Sequence, residues 1–549
     1  MQWTTADVHP AILETALAMN HNRLRRYFFL CIKKGMACDS NKKIKESAKK
    51  KMIINKYITQ TSERIRNEYD LLKKAGINLN SDLQTIRTQL TTNGLKFVDE
   101  DFYPSAQSLY VEGDKSAKVV EEQAMWRRAA DFCLKPVIFK DGINPSDVQQ
   151  GRLGNCWFCC SLASMAERPN LIEKLFVSDQ TSKEGCYEVR FCHNGLWKVV
   201  LLDDFIPCRP FSGPLYTKTE EDELWVALLE KAYAKIYGCY ERLIAGNPYY
   251  SLPDLTGCPA HIFDLHNVIN SSSSSFPEET NGLWEKLLEW NRTEDNLMSA
   301  ACDETSKSAP EEAGLMVDHS YTILDAKQGL DPVVRLLCMR NPWGHGEWKG
   351  DWSDFSPLWT QVILSFFLSL QTKAKEVFKP SLNPDDGAFW ISWEDFLDYF
   401  SSITVCYCRR DWVEARIGAD LSFDFEKNEL TAPLDEREQD APTNLDLCVF
   451  VFRETDGGRE PVGFLGMENA RHSFESFGSD SRHYPDSLEE GSYLLIPFTS
   501  GRHWNSKSGN TRGVALSAHC HSTGSRLGMK IAGALGRAEI DEVYLFIEN

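Results

Sequence analysis

Across residues 53–72, apolar side chains recur at Ile54, Ile58, Ile65, Tyr69 and Leu72. This broken helical period predicts an amphipathic helix. The surrounding stretch, residues 1–82, is rich in Lys, Arg and Glu and poor in turn residues, and reads as helical throughout; its heptads are too irregular for a firm coiled coil. From 83 to 245 helix and strand signals mix. A small-residue apolar helix begins near Cys156, runs through 161–166 and stops before Pro169. Residues 197–202 form a nearly continuous apolar strand, and 224–237 carry good helix formers. The turn-rich run 246–259 marks a boundary. Residues 270–275 read as a Ser-rich loop and 301–313 as a polar loop. Strand signals dominate 314–407. Beyond Arg410 the pattern is all-β, with strands expected at 445–452, 492–498, 514–519 and 543–547. The expected organisation is an α+β chain in four parts: 1–82 basic and helical, 83–245 and 246–410 as two mixed subdomains, and 411–549 as an antiparallel β-sandwich.

Charge sharpens this division. Residues 21–77 hold 16 Lys/Arg against 5 Asp/Glu, on a chain whose net charge is −19. A basic arm on an acidic body docks on its own body, on a partner or on an anionic membrane surface, or is simply a solvated helical face. The acidic balance argues against nucleic acid as a partner. The 17 cysteines show no paired Cys-x-x-Cys spacing, which speaks against structural zinc. With no basic start and apolar core in residues 1–20, a cytoplasmic chain with reduced thiols is expected. The longest apolar runs, 27–32 and 362–370, are far shorter than the ~20 residues of a membrane span.

The sharpest chemical signal is Gln150-Gly151-Arg152-Leu153-Gly154-Asn155-Cys156-Trp157-Phe158. Asn155 is a good N-cap, and a thiol at a helix N-terminus is favoured as thiolate by backbone N–H groups and the dipole. Gln150 is placed to supply an amide N–H to an oxyanion beside the N–H of Cys156. A nucleophilic thiolate needs a base and the base an orienter. His319 opens the apolar strand 319–324, and a second strand, 333–340, leads into Asn341-Pro342-Trp343-Gly344. A hairpin turning near Gly329 brings His319 to Asn341. His345, in a glycine-flanked loop, is a rival base that looks exposed.

The order Cys, His, Asn fits papain-like proteases and, more loosely, transglutaminases. The flanking residues separate them. Gln150 through Phe158, Asn341-Pro342-Trp343, Gly346-Glu347-Trp348-Lys349-Gly350, Glu230-Lys231-Ala232-Tyr233-Ala234-Lys235 and Asp385-Asp386-Gly387-Ala388-Phe389-Trp390 resemble the calpain family. The likeness covers about 83–407 and extends loosely into the β-sandwich.

The resemblance implies a papain-like core of two subdomains with the cleft between them. It also implies calcium-dependent limited cleavage of protein substrates through a thioester. Its roles fall on Gln150 (oxyanion), Cys156, His319 and Asn341, with Trp343 as the tryptophan that wedges or shields the cleft. It implies calcium ions held by the Gly142 carbonyl, Asp147 and Glu223 in one subdomain, and by Glu347, Asp354 and Asp386 in the other. Carboxylate and carbonyl oxygens suit that ion. Pro145 and Ala388 stand where members of the family often carry an Arg and a Glu that form a salt bridge between the two sites. A weaker second site and altered coupling are therefore expected. Asn155 replaces the family's more usual Asp, with little expected effect. Residues 358–379 also depart from the family's pattern, and within them 360–370 read as an apolar insert beside the second site. No EF-hand loop is found, so the likeness is to members without that domain, and no small regulatory subunit is expected as a partner. The rival readings are a calpain-like scaffold with impaired chemistry and a transglutaminase-like acyl transferase.

Overall fold

The computed structural model describes residues 40–408, except 194–195, 218–221, 266–275, 293–295, 305, 307, 309, 330–332, 360–374, 376, 382 and 384–385. Beyond 411 it describes the backbone of the strands named below; side chains are described from residue 51, apart from 120–121 and 276–280, to 408, and at Arg453 and Thr455.

The first helix, α1 (Ser40–Ala75), has no acidic residue in its first turn and Lys73 and Lys74 in its last, matching the helix dipole at its C-terminal end. Its second half lies on the body of the chain. Ile65 and Leu72 enter the main core, and Tyr69 meets Tyr103 edge to face at 5.3 Å. Arg64 pairs with Asp131 (2.9 Å), Glu68 with the buried Arg128 (2.6 Å) and Lys73 with Glu100 (2.7 Å). The expected apolar stripe is therefore real, and these three ion pairs show the helix docked on its own chain. The next helix, α2 (Leu83–Thr92), is capped by Asp82, whose carboxylate accepts from Thr85 N at 3.0 Å.

The largest core surrounds α3 (Cys156–Ala166) and α4 (Trp225–Ile236). Both are apolar nearly all round, as helices buried on every side must be. The charged groups of α4 are satisfied internally. Lys231 Nζ, wholly buried, donates to the Asp203 carboxylate and to the carbonyls of Asp203 (3.1 Å) and Phe205 (2.8 Å). Lys235 donates to Asp99 (2.8 Å) and to the Leu201 carbonyl (2.8 Å). These contacts pin α4 to the ends of its neighbouring strands. A strand β1 (Met125–Arg128) and a hairpin of β2 (Cys186–His193) and β3 (Leu196–Asp203) precede β4 (Phe205–Cys208), which pairs with β1. The expected strand at 197–202 is present, but its outer half is exposed, with Trp197 at 42% and Val199 at 56%. Its apolar run does not signal burial on both faces.

The turn-rich run at 246–259 holds a helix, α5 (Pro248–Thr256). Asn247 caps it through Oδ1 to Tyr249 N (2.9 Å), Pro248 takes the first position, and Gly257 at φ +74° ends it. The turn residues are its punctuation.

A second core is built on an antiparallel sheet in the order β5 (Ala260–Asp264), β10 (Ser402–Tyr407), β6 (Asn296–Cys302), β7 (His319–Gly329), β8 (Val334–Arg340), β9 (Ala388–Ser392). Helices α6 (Phe276–Arg292) and α7 (Trp393–Tyr399) pack on it through Trp284, Trp290, Trp393 and Phe396. The polar loop expected from 301 starts slightly later, since β6 runs to Cys302. Trp359 and Phe378, flanking the apolar insert, pack together with Leu336 and Trp390. The insert's segment 360–370 and the Ser-rich run 270–275 lie outside the described residues.

The C-terminal part is antiparallel, as expected. One sheet runs β12 (Glu429–Thr431), β11 (Trp412–Asp424), β17 (Thr511–His521). The other runs β15 (Phe474–Ser476), β14 (Gly458–Leu465), β13 (Leu447–Thr455), β16 (Gly491–Thr499), β19 (Glu542–Glu548), β18 (Arg526–Ala532). All four expected strands are present, each longer by a residue or more at one or both ends. Among the described residues no helix is long and apolar enough to cross a membrane.

Candidate active site

Cys156 is the first residue of α3, and α3 packs across β7. Thr322 Oγ1 donates to the Cys160 carbonyl at 3.1 Å and meets Cys160 Sγ at 3.3 Å. This crossing sets the N-terminus of α3 against the start of β7, where His319 stands. Asp318, immediately before it, lies in the left-handed region at φ +52°, a conformation Asp tolerates better than most residues.

The β7–β8 hairpin pairs Gly329 with Val334 and Thr322 with Arg340, with a bulge between Ile323 and Asp325. It brings His319 Nε2 to 2.9 Å from Asn341 Oδ1. Asn341 is held at both ends of its side-chain amide. Its Nδ2 donates to Gly346 O (2.8 Å), Oδ1 also accepts from Trp343 N (3.0 Å), and its backbone N–H donates to Gly387 O (2.8 Å). Its amide orientation is therefore fixed and Oδ1 accepts only, so His319 Nε2 carries the hydrogen and Nδ1 is left as the basic nitrogen. Gly387 makes the fit possible. At φ +78°, a Cβ there would lie 2.8 Å from Asn341 O and 2.9 Å from Gly344 Cα. The Trp343 ring lies 4.8 Å from the His319 ring, and His345 is exposed.

Gln150 joins the two sides of the site. Its backbone N–H donates to Pro342 O at 3.0 Å, and its buried side chain donates from Nε2 to Leu153 O at 2.7 Å, while Oε1 has no partner. The adjacent Gly151 is compulsory, since a Cβ would stand 1.5 Å from Tyr216 O.

Two electrostatic expectations are corrected. Asn155 occupies the N-cap position, but its side chain makes no cap; Nδ2 donates instead to buried Glu230 Oε1 at 2.8 Å. The thiol is also not pre-ionised. Burial pushes Cys156 above its ordinary value, and the amides of Ser320, Trp157 and Cys156 with the Ser320 hydroxyl only partly offset this. Burial likewise pushes His319 down to about 4, against the pull of Asn341. In this state both the thiol and the imidazole are neutral.

Among the residues expected to bind calcium, Glu223 is buried, bridges to Val137 and accepts from Lys140 N at 2.8 Å. Burial raises it to about 7, and the Asp147 charge adds to the shift. Asp147 is engaged by Asn144 N (2.7 Å) in a short 3-10 turn opened by Pro145, and Gly142 is exposed at φ +97°. In the second group, Glu347 accepts from Gly387 N (3.0 Å). Asp386 accepts from Ser381 Oγ (2.8 Å) and Ala388 N (2.9 Å). Asp354 Oδ2 is buried without a partner; burial, then Asp386, raise this carboxyl to about 6. Among the described residues no three His, Cys, Asp or Glu side chains gather into a metal cluster.

Two residues acquire a place that the sequence reading did not give them. Glu230, within the quoted motif, supports Asn155; its signal is a carboxylate in the midst of an otherwise buried helix. Arg340, immediately before Asn341, is 3% exposed and donates from Nη2 to Val148 O at 3.2 Å, while Nη1 has no partner. Burial pushes its pKa down, and the charges of Asp386 and Asp147 act in the opposite sense, so this cation feels both acidic groups.

With this geometry in hand, comparison with known proteins gives a consistent family. The description "Calpain family cysteine protease" matches residues 97–407. The chain is 34% identical over 332 residues to the calpain-type cysteine protease DEK1 of Zea mays, covering 59% of this chain and 14% of that protein. It is 30% identical over 352 residues to calpain-5 of Mus musculus, covering 58% and 52%. To the calpain-2 catalytic subunit of the same species it is 30% identical over 338 residues, covering 60% and 45%. The alignments thus span about half or less of each of these relatives.

Proposed function

The chain belongs to the calpain family of cysteine proteases, and from that premise we propose that it is a calcium-dependent endopeptidase that cuts protein substrates at limited sites within a papain-like, two-subdomain core. The observation that carries the reading is the Asn341 amide, whose Oδ1 accepts from His319 Nε2 and leaves Nδ1 as the basic nitrogen, next to Ser320, whose N–H and hydroxyl reach the Cys156 thiol.

His319 Nδ1 takes the Cys156 thiol proton as sulfur forms a bond to the scissile carbonyl carbon. The Cys156 amide and the Gln150 side chain stabilise the oxyanion. Collapse breaks the C–N bond, and the imidazolium returns its proton to the leaving amine, giving a thioester. Water then attacks the thioester with His319 as base, releasing the carboxylic acid and restoring the thiol. Trp343, against one face of the imidazole, keeps water from it.

The donor sets suit a hard cation. Gly142 O, Asp147 and Glu223 would hold one calcium ion, and Glu347, Asp354 and Asp386 a second. The unpartnered Asp354 oxygen and the raised Glu223 and Asp354 carboxyls support this assignment. Bound calcium supplies positive charge that offsets repulsion within each group.

The neutral thiol and imidazole favour a second reading, a calpain-fold scaffold with impaired chemistry. Labelling with an irreversible thiol-directed peptidyl inhibitor separates the two. Stoichiometric modification of Cys156 with parallel loss of casein cleavage supports the protease. A Cys156 that stays unmodified with calcium present makes the scaffold the better account.

A further inference from the structure

An asparagine at an N-cap ordinarily turns its side-chain oxygen onto the second or third amide of its helix. At the head of α3 those are Trp157 and Phe158. Asn155 does not do so. Its main-chain carbonyl accepts from Phe158 N (3.0 Å) and Cys159 N (3.1 Å), while its fully buried side chain is turned away. Nδ2 is held by Glu230 Oε1 at 2.8 Å, and Oδ1 receives the Cys159 thiol at 3.7 Å.

Glu230 is itself anchored. It is 3% exposed, and its other oxygen accepts from Thr217 N (3.1 Å) and Thr217 Oγ1 (2.8 Å). Tyr216, next in the chain, is the residue whose carbonyl lies against Gly151. The carboxylate thus ties the Gln150–Gly151 approach to the start of α3. Burial raises Glu230 to about 7, and Thr217 and Asn155 pull it back. The titratable groups its charge acts on are Cys159 of α3 and Tyr240, whose hydroxyl has no partner.

The consequence falls on the nucleophile. The amides that lower the Cys156 thiol include those of Trp157 and Cys156 itself. An Asn155 oxygen turned onto the helix end would compete for the Trp157 amide. We infer that Glu230 is a positioning residue for the nucleophile: it withdraws the Asn155 side chain from the N-terminus of α3 and so reserves the amide of Trp157 for the reacting sulfur. This rests on the reading of Cys156 as nucleophile.

The test is the rate of iodoacetamide modification of Cys156 in the full chain, followed across pH by mass spectrometry of its peptide. Glu230→Ala lowers the rate at pH 7 by about three- to tenfold and moves the profile to higher pH. Glu230→Gln keeps it near wild type, because its oxygen still accepts from Thr217 and its NH2 donates to an Asn155 amide turned over. In an Asn155→Ala background, Glu230→Ala has no further effect. Should Glu230→Ala fail to fold, Glu230→Met fills the volume without an acceptor and carries the same expectation. Equal slowing by the Gln and Ala variants, or the same loss with and without the Asn155 side chain, overturns the inference. Alkylation needs no peptide substrate. A chain that follows this pattern yet leaves casein intact would therefore overturn the protease reading and leave this one standing.

Discussion

The chemistry of single residues turns on two groups whose burial opposes their charged forms. Cys156 is raised and His319 lowered to about 4, so near neutral pH they do not form an ion pair in this state. The resting chain should therefore show Cys156 alkylation that climbs continuously from pH 6 to pH 9. A plateau beginning near pH 5, measured by the same alkylation, would mean that thiolate and imidazolium are already paired. His319 also links stability to pH. Its folded value lies below the ordinary 6.5, so the unfolded chain takes the proton first as pH falls. Stability is lost between about pH 6.5 and 4, by about 3 kcal/mol. Acid denaturation of His319→Gln beside wild type isolates this contribution and should show a shallower acid limb. Gly151→Ala sets a Cβ on the Tyr216 carbonyl and should abolish cleavage, with a lowered melting temperature measured alongside. Much at this scale was legible from sequence, because the glycines, Cys156 and the His319–Asn341 spacing are local signals that the hairpin makes spatial. The role of Asn155 was not. Capping preference describes an average helix end, whereas a buried carboxylate from a helix about 75 residues later claims this side chain.

At the scale of elements, α1 shows how a basic segment becomes part of the fold. Its apolar residues at 65 and 72 were readable from periodicity, but its docking partners were not, because Arg128, Asp131 and Glu100 carry no pattern that points back to it. Arg128 is the sensitive point. It is almost wholly buried and shares itself between Glu68, Asp204 and the Phe97 carbonyl (2.8 Å). Glu68→Ala should cost about 1–3 kcal/mol, read as a lower denaturation midpoint, because a desolvated guanidinium loses one of its two anions. An unchanged midpoint would mean that α1 contributes little beyond its apolar contacts. The helix α5 was hidden for a different reason. Asn247, Pro248 and Gly257 are turn formers by composition and helix caps by position, and only the chain between them, Tyr249 to Thr256, decides which.

For the whole molecule, the central question is how the Cys156 side and the His319 side act together. Among the described residues the polar ties between them include Gln150 N to Pro342 O, Thr322 Oγ1 to Cys160 O, Arg340 to Val148 O and Arg168 Nη1 to Cys408 O (3.4 Å). Arg340 is a cation on which charges from both acidic groups act. The sequence reading marked a lost Arg and Glu at Pro145 and Ala388 but did not find Arg340. Its burial arises only when β8 is set against the 3-10 turn ending at Asp147. The C-terminal strands were legible in the sequence because short apolar runs bounded by turn residues need no tertiary information. The most direct measurement is casein cleavage by the purified chain across a calcium titration, with Cys156→Ala in parallel. The account predicts cleavage that rises with calcium and is absent from the variant at every concentration. Cleavage of equal rate in chelator would contradict the calcium assignment, and no cleavage at any calcium concentration would contradict the protease itself.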